Sequence, residues 1–312
     1  MTPRLLVILG PTASGKTSIA AHWAHRNQGE IISADSRQVY RGMTIGTGKD
    51  YSDYHLNSPT LGGGGAIPYH CIDIADPGDE YNVYQYQKDF LQAYNDILQR
   101  GKQPVLCGGS GMYIEAAING YRLIQTPVNH ELRKELENKT DGELAKILES
   151  LKAMHNHSDT DTRKRAIRAI EIAMYQAGNT QEDIHYPDIR PVFVGVKFDR
   201  ESRRQRITQR LRQRIDDGMI EEARSLLEKG LSFQQLEYYG LEYKFLAKHL
   251  SGELTCEQMF ERLNTAIHQF AKRQMTWFRR MERNGATILW LDGYMPMEEK
   301  LQKINDWWRS VP

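Results

Sequence analysis

Residues Gly10 to Thr17 read GPTASGKT, an arrangement suited to gripping a polyphosphate. Glycines at Gly10 and Gly15 let the backbone through Pro11, Thr12, Ala13 and Ser14 curl so that successive N–H groups, of which Pro11 has none, face one centre at the positive end of a following helix dipole. Lys16 supplies a point charge for the terminal phosphates, and Thr17 offers a hydroxyl to Mg²⁺. The alternative is an ordinary glycine-rich turn. The context argues against it: an apolar run precedes the loop (RLLVIL, Arg4–Leu9), and helical spacing follows through Ile19, Ala20, Trp23 and Ala24.

A second group lies at the end of the next apolar run, where ISADSRQ places Asp35 ahead of Ser36, Arg37 and Gln38. A carboxylate there could act as a general base, share the water shell of a Mg²⁺ ion, or cap a helix. The residues alone leave base and metal roles equally open.

Other candidates are weaker. Cys71, Cys107 and Cys256 are odd in number and widely separated, which fits buried or free thiols in a reducing compartment and not a disulfide frame or zinc site. His155 and His157 have no acidic or cysteine partner at metal spacing and read as surface residues.

The chain must position these groups with 312 residues, enough for a main domain with a smaller attachment. Strands are expected at Arg4–Leu9, Glu30–Ala34, His70–Ile74, Pro104–Gly108 and Val192–Phe198, with helices at Thr17–Asn27 and Val83–Gln99 between them. Alternation of this kind predicts an α/β fold with a mostly parallel sheet. The PTLGGGGAIP segment (59–68) is expected to be a surface loop. Over 127–187 the strand signal gives way to helical periodicity (Leu132, Leu136, Leu144, Ile147, Leu148, Leu151, Ile167, Ile170, Met174), which predicts a helical insertion. The core is then 1–126 with 188–312, ending in long helices at Glu201–Lys229, interrupted at Gly218, and Thr255–Arg283. No apolar run of about 18 residues offers a membrane span, and the first strand leaves no room for a signal peptide. A cytoplasmic protein without membrane contact is expected. No exposed apolar stripe stands out, which favours a monomer.

The net charge of +1 conceals three basic clusters. They centre on Arg163–Arg168, on Arg200 to Arg214, and on Lys272 to Arg283. Any one cluster is commonly a solvated helix face, but three in a neutral chain suit a surface that meets RNA or another polyanion.

Taken together, GPTASGKT, ISADSRQVYRGMTIGTGK (Ile32–Lys49), the IDI-x-DP stretch (Ile72–Pro77), PVLCGGSGMY (Pro104–Tyr113), RAIE (Arg168–Glu171), RITQR ending at Arg210, and AKRQMTW (Ala271–Trp277) resemble the tRNA dimethylallyltransferases, of the compact bacterial form. The resemblance spans nearly the whole chain. It implies a P-loop kinase-like core with a helical insertion domain. The implied reaction moves a dimethylallyl group from dimethylallyl pyrophosphate, with Mg²⁺, to N6 of the adenosine at tRNA position 37, beside the anticodon. Lys16, Ser110 and Arg210 are then expected on the leaving group and Asp35 as the base. Family members usually carry threonine at the position of Ser110; serine keeps the hydroxyl. Contacts to the anticodon stem-loop are expected from Asp35, Ser36, Arg37, Gln38, Ser110, Arg133, Lys164, Arg165 and Arg168. Two other classes remain: prenylation of free adenylate, and a P-loop kinase or ATPase that binds RNA. A free nucleotide needs no basic helical insertion. Apart from Asp35, no apolar run ends in the Asp or Asp-Glu pair that a P-loop ATPase uses.

Overall fold

The structure is a computed structural model that describes residues 3–56, 65–121, 123, 125–151, 160, 162–178 and 186–311. His155 and His157 lie outside the described residues, as does most of the glycine-rich segment.

Among the described residues, six parallel strands form the central sheet in the order β5-β2-β6-β1-β7-β8. They are β1 (Arg4–Leu9), β2 (Gly29–Ala34), β5 (Tyr69–His70), β6 (Gln103–Gly108), β7 (Arg190–Lys197) and β8 (Ile288–Asp292). Two residues of β3 (His55–Leu56) pair antiparallel with two of β4 (Gly65–Ala66), so the end of the glycine-rich segment is a short strand. β1 lies between β6 and β7, with Val7 opposite both Leu106 and Phe193. Leu5 to Leu9 are fully buried, as continuous apolar strands must be when helices cover both faces of a parallel sheet.

α1 (Lys16–Arg26) crosses from β1 to β2, and α2 (Val83–Gln99) leads into β6. α2 opens with a reciprocal capping box between Asn82 and Gln85. α3 (Gly111–Asn119) follows β6. After the insertion helices α4 (His130–Glu137), α5 (Asp141–Leu151) and α6 (Arg163–Gly178) come β7 and α7 (Arg200–Asp216), α8 (Met219–Glu228), α9 (Phe233–Tyr238), α10 (Leu241–Leu250) and α11 (Cys256–Arg283). The chain closes with β8 and α12 (Met297–Ser310). Trp23 of α1 anchors α12: its indole N–H donates to Asn305 Oδ1 at 3.0 Å, and its ring meets Trp308 edge-on at 5.5 Å.

Two expectations need correction. The strand foreseen at His70–Ile74 stops at His70, because Cys71 and Asp73 take positive φ (60° and 54°) and turn the chain away. The ILWLD run, not foreseen as a strand, extends the sheet beyond β7. Gly218, in the left-handed region at φ 99°, is where the α7–α8 segment breaks.

The chain separates into two compact units, 1–120 with 188–312, and 121–187. The second unit has its own core of Leu136, Leu144, Leu148, Ile167 and Ile170. Leu151 and Met174, read as part of its apolar face, are exposed. Among the described residues no helix is long and apolar enough to cross a membrane.

Candidate active site

Loops at the C-terminal ends of β1, β2 and β6 converge on one cavity, the position where open parallel sheets bind ligands. The β1–α1 loop reaches it through left-handed turns at Ala13 (φ 60°) and Gly15 (φ 74°). Ser14 is buried, and its Oγ, without a hydrogen-bond partner among the described residues, packs against Gly10, where a Cβ would stand 2.7 Å from it, so the loop closes on itself only with glycine there. The loop is braced from outside: Arg206 Nε donates to the Ala13 carbonyl at 3.0 Å.

The cavity, about 440 Å³, is lined by Thr12, Lys16, Thr17, Asp35, Ser36, Arg37, Gln38, Ser110 and Arg210 among others. The structure thus brings together most of the core residues selected from sequence. A second cleft of about 350 Å³ is lined by the loop residues Ala13 to Thr17, with Asp50, Asp53, Arg206 and Arg210. Lys16, Thr17 and Arg210 line both spaces, whereas Asp35 lines only the first. Cations and loop amides therefore stand between an outer slot and an inner chamber that holds the carboxylate.

Local bonds fix the inner chamber. Ser110 N–H donates to the Ala34 carbonyl at 3.1 Å, and Ser110 Oγ accepts from Ser36 N–H at 3.2 Å, leaving the Ser110 hydroxyl proton free to donate. Asp35 Oδ1 accepts from Arg37 N–H at 2.9 Å. Ser33 Oγ donates to Gln38 Oε1 at 2.9 Å, and Gln38 Nε2 donates to the Gly48 carbonyl at 3.1 Å. The Arg37 guanidinium lies over the exposed ring of Tyr238 at 5.5 Å.

Charge in the site is uneven. Burial pushes the Lys16 ammonium below its ordinary pKa, with the nearby Arg210 acting in the same direction and Asp35 against it. Arg210 is paired with Asp50. Arg214, which the sequence offered only as one member of a basic cluster, also lines the cavity, 3.8 Å from Glu242 Oε1. Burial pushes the Glu242 carboxyl up and the Arg214 guanidinium down, each partly offset by the other.

Gln274 carried no assigned role in the sequence, and its contacts give it one. It is buried on α11; its Oε1 accepts from Thr12 N–H at 2.9 Å, and its Nε2 donates to the Gly109 carbonyl at 3.0 Å. Trp277, one turn on, is a packing residue, its N–H donating to Glu115 Oε2 at 2.7 Å. Nothing local marks either contact, since the partners are more than 160 residues away.

The insertion unit carries Arg133, Lys164, Arg165 and Arg168. Arg133 makes a forked pair with Glu171, at 3.1 and 2.8 Å, and Arg168 bonds the same carboxylate and the Thr126 carbonyl. Burial would raise the Glu171 carboxyl, but Arg133, the Asn129 N–H and Arg168 together hold it below its ordinary value. Lys164 and Arg165 are exposed. Arg163 binds Asp141 and the last carbonyls of α4, so one member of this cluster is a helix cap.

Fold and site together define a P-loop-like α/β protein with a carboxylate beside its phosphate cradle. A family model described as IPP transferase matches residues 38–281, and one described as isopentenyl transferase matches residues 3–58. A tRNA dimethylallyltransferase of Bacteroides fragilis is 57% identical over 301 residues, covering 96% of both chains. One of Parabacteroides distasonis is 54% identical over 297 residues and covers 95% of both. The crystal structure of the tRNA isopentenylpyrophosphate transferase of Bacillus halodurans superposes with a TM-score of 0.69 at 30% identity, covering 98% of this chain and 95% of that one. The chain belongs to the tRNA dimethylallyltransferase family of prenyltransferases.

Proposed function

We propose that the protein transfers a dimethylallyl group from dimethylallyl pyrophosphate to N6 of the adenosine at position 37 of tRNA, next to the anticodon, releasing pyrophosphate. The observation that carries this reading is the partition of the site: Lys16, Thr17 and Arg210 border both spaces, and Asp35 only the inner one. A polyphosphate seated on the loop then has its organic end directed at the carboxylate.

In this reading the adenine amine attacks C1 of the dimethylallyl group as the C1–O bond breaks. The bonding electrons leave with pyrophosphate, and the amine proton passes to Asp35. Negative charge grows on the leaving oxygens, so preorganised donors there stabilise the transition state more than the ground state. Lys16, the loop amides and Arg210 are those donors, and Ser110 adds a hydroxyl. The amine is a poor nucleophile because its lone pair is delocalised into the ring; accepting its proton localises that pair.

Among the described residues no group of three His, Cys, Asp or Glu is arranged to hold a metal. Mg²⁺ is commonly bound through one or two protein oxygens plus phosphates and water, so the Thr17 hydroxyl, with the Asp50 and Asp53 carboxylates on the same cleft, forms a donor set that fits it. When bound, Mg²⁺ would neutralise charge on the departing pyrophosphate.

A surface feature supports the RNA acceptor. Arg200, Arg203 and Arg204 of α7 and Lys272 of α11 line a groove with His268, and among the described residues none of these four cations makes a salt bridge within 4.0 Å, Asp199 acting on Arg203 only from farther away. Their crowding is visible in Arg203, which burial and the charges of Arg279 and Arg200 push down, and in His268, lowered by burial, Arg204 and Arg203. A phosphate backbone would relieve that repulsion. In the insertion unit, Lys164 and Arg165 are exposed, while Arg133 and Arg168 share Glu171. The protein is expected to act as a monomer in the cytoplasm.

The test is incubation with dimethylallyl pyrophosphate, Mg²⁺ and unmodified tRNA. Prenyl incorporation at the adenosine beside the anticodon is the expected result. Incorporation into AMP but not tRNA selects a free-nucleotide prenyltransferase, and ATP hydrolysis alone selects an ATPase.

A further inference from the structure

Glu222, on the first turn of α8, is held by four donors. Its Oε2 accepts from the N–H groups of Thr44 and Ile45, both at 2.8 Å, and its Oε1 accepts from Gly46 N–H at 2.9 Å and from the Tyr243 hydroxyl at 2.6 Å. Three consecutive backbone amides closing on one carboxylate form an anion nest, here filled by the protein's own side chain. The fit is close. A Cβ on Gly46 would come within 2.6 Å of the Tyr243 ring, so the loop can reach Glu222 only with glycine there.

The pinned loop touches both halves of the site. Gly46, Thr47 and Gly48 line the cavity. The Gly48 carbonyl orients Gln38, beside Asp35; Asp50 pairs with Arg210; and the Arg214 guanidinium packs on Gly48. Glu222 itself is absent from the cavity lining. We infer that Glu222 is a positioning residue for the transfer reaction: as the anion in the Thr44–Gly46 nest, it sets the geometry of Gln38 on the acceptor side and of Arg210 on the leaving-group side. The inference rests on the reaction proposed above.

Glutamine at this position has nearly the same shape but only one oxygen, and its NH₂ group would face N–H donors. The test compares Glu222→Gln and Tyr243→Phe with the parent, at a temperature where circular dichroism shows all three folded. Displacing a catalytic group by a fraction of an ångström to an ångström costs roughly ten- to a hundredfold in rate. For Glu222→Gln, kcat for prenyl transfer to tRNA is expected to fall by about tenfold or more, with KM for tRNA within about threefold. Tyr243→Phe removes one of the four donors and is expected to fall between that variant and the parent. If Glu222→Gln turns over at the parent's rate and only its melting temperature drops, the residue is a structural brace and the inference is overturned. If that variant does not fold, Tyr243→Phe decides: a parental kcat overturns the inference, and a reduced kcat with parental KM supports it. A parent that prenylates no tRNA overturns the underlying reaction instead, which the parental assay reveals separately.

Discussion

The Gln274 side chain and the Thr12 backbone are joined by a 2.9 Å hydrogen bond across 262 residues of sequence. The same amide holds the Gly109 carbonyl at 3.0 Å, so one buried residue of α11 ties the phosphate loop to the loop that carries Ser110. Gln274→Ala leaves the part-buried Thr12 N–H and the buried Gly109 carbonyl without this partner, at a cost of about 1–3 kcal/mol for a group that water cannot reach. A lower melting temperature and a raised KM for dimethylallyl pyrophosphate are expected. Unchanged values of both would mean that the loops keep their geometry without it.

Asp35→Asn tests the base. The amide keeps the size and can still accept the Arg37 N–H, but it cannot take the amine proton. General-base catalysis contributes about 10²–10⁴-fold, so kcat is expected to fall in that range while pyrophosphate affinity, followed by calorimetry, stays close to the parent's. Turnover within about threefold of the parent together with weakened pyrophosphate binding would place Asp35 in the metal shell instead.

Lys16 predicts a pH dependence. Burial lowers its pKa in the folded protein below the ordinary 10.5. The unfolded chain therefore holds this proton more tightly, and the group's contribution to folding stability rises as pH climbs through the folded pKa toward 10.5. Pyrophosphate binding has the opposite slope, because it needs the charged ammonium and weakens over the same window. Titrations from neutral pH to about 10 should show this loss in the parent and not in Lys16→Met. Superimposable profiles would remove Lys16 from the anion site.

The α7–α11 groove predicts a salt effect. Each phosphate contact adds roughly 0.7–0.9 to the slope of log affinity against log salt. Arg203→Gln combined with Arg204→Gln should lower that slope by about 1.5 and weaken tRNA binding most at low salt. An unaltered slope would show that tRNA passes elsewhere.

What could be read in advance was local. The phosphate loop was legible because its glycines, its lysine and its flanking periodicities lie within one strand–loop–helix unit, and Asp35 because it ends the next strand. The insertion showed itself through the change from strand to helical period, although Met174 and Leu151, at helical spacing, face outward. The strand at His70–Ile74 failed because an apolar run does not reveal the positive φ at Cys71 and Asp73. ILWLD became a strand because the edge of β7 was there to receive it.

Sequence by itself determined the chemical inventory: a polyphosphate cradle, a carboxylate one strand away, a surplus of arginines, and a motif set resembling one prenyltransferase family. Only the tertiary structure decided how that inventory is arranged. It set Asp35 on the inner chamber alone, paired Arg210 with Asp50, bound Arg133 and Arg168 to Glu171, and gave Gln274 and Glu222 their partners. The physical reason is range. Backbone propensities and motif spacing act over a few residues, whereas a buried hydrogen bond or ion pair takes whichever partner packing delivers, however distant along the chain.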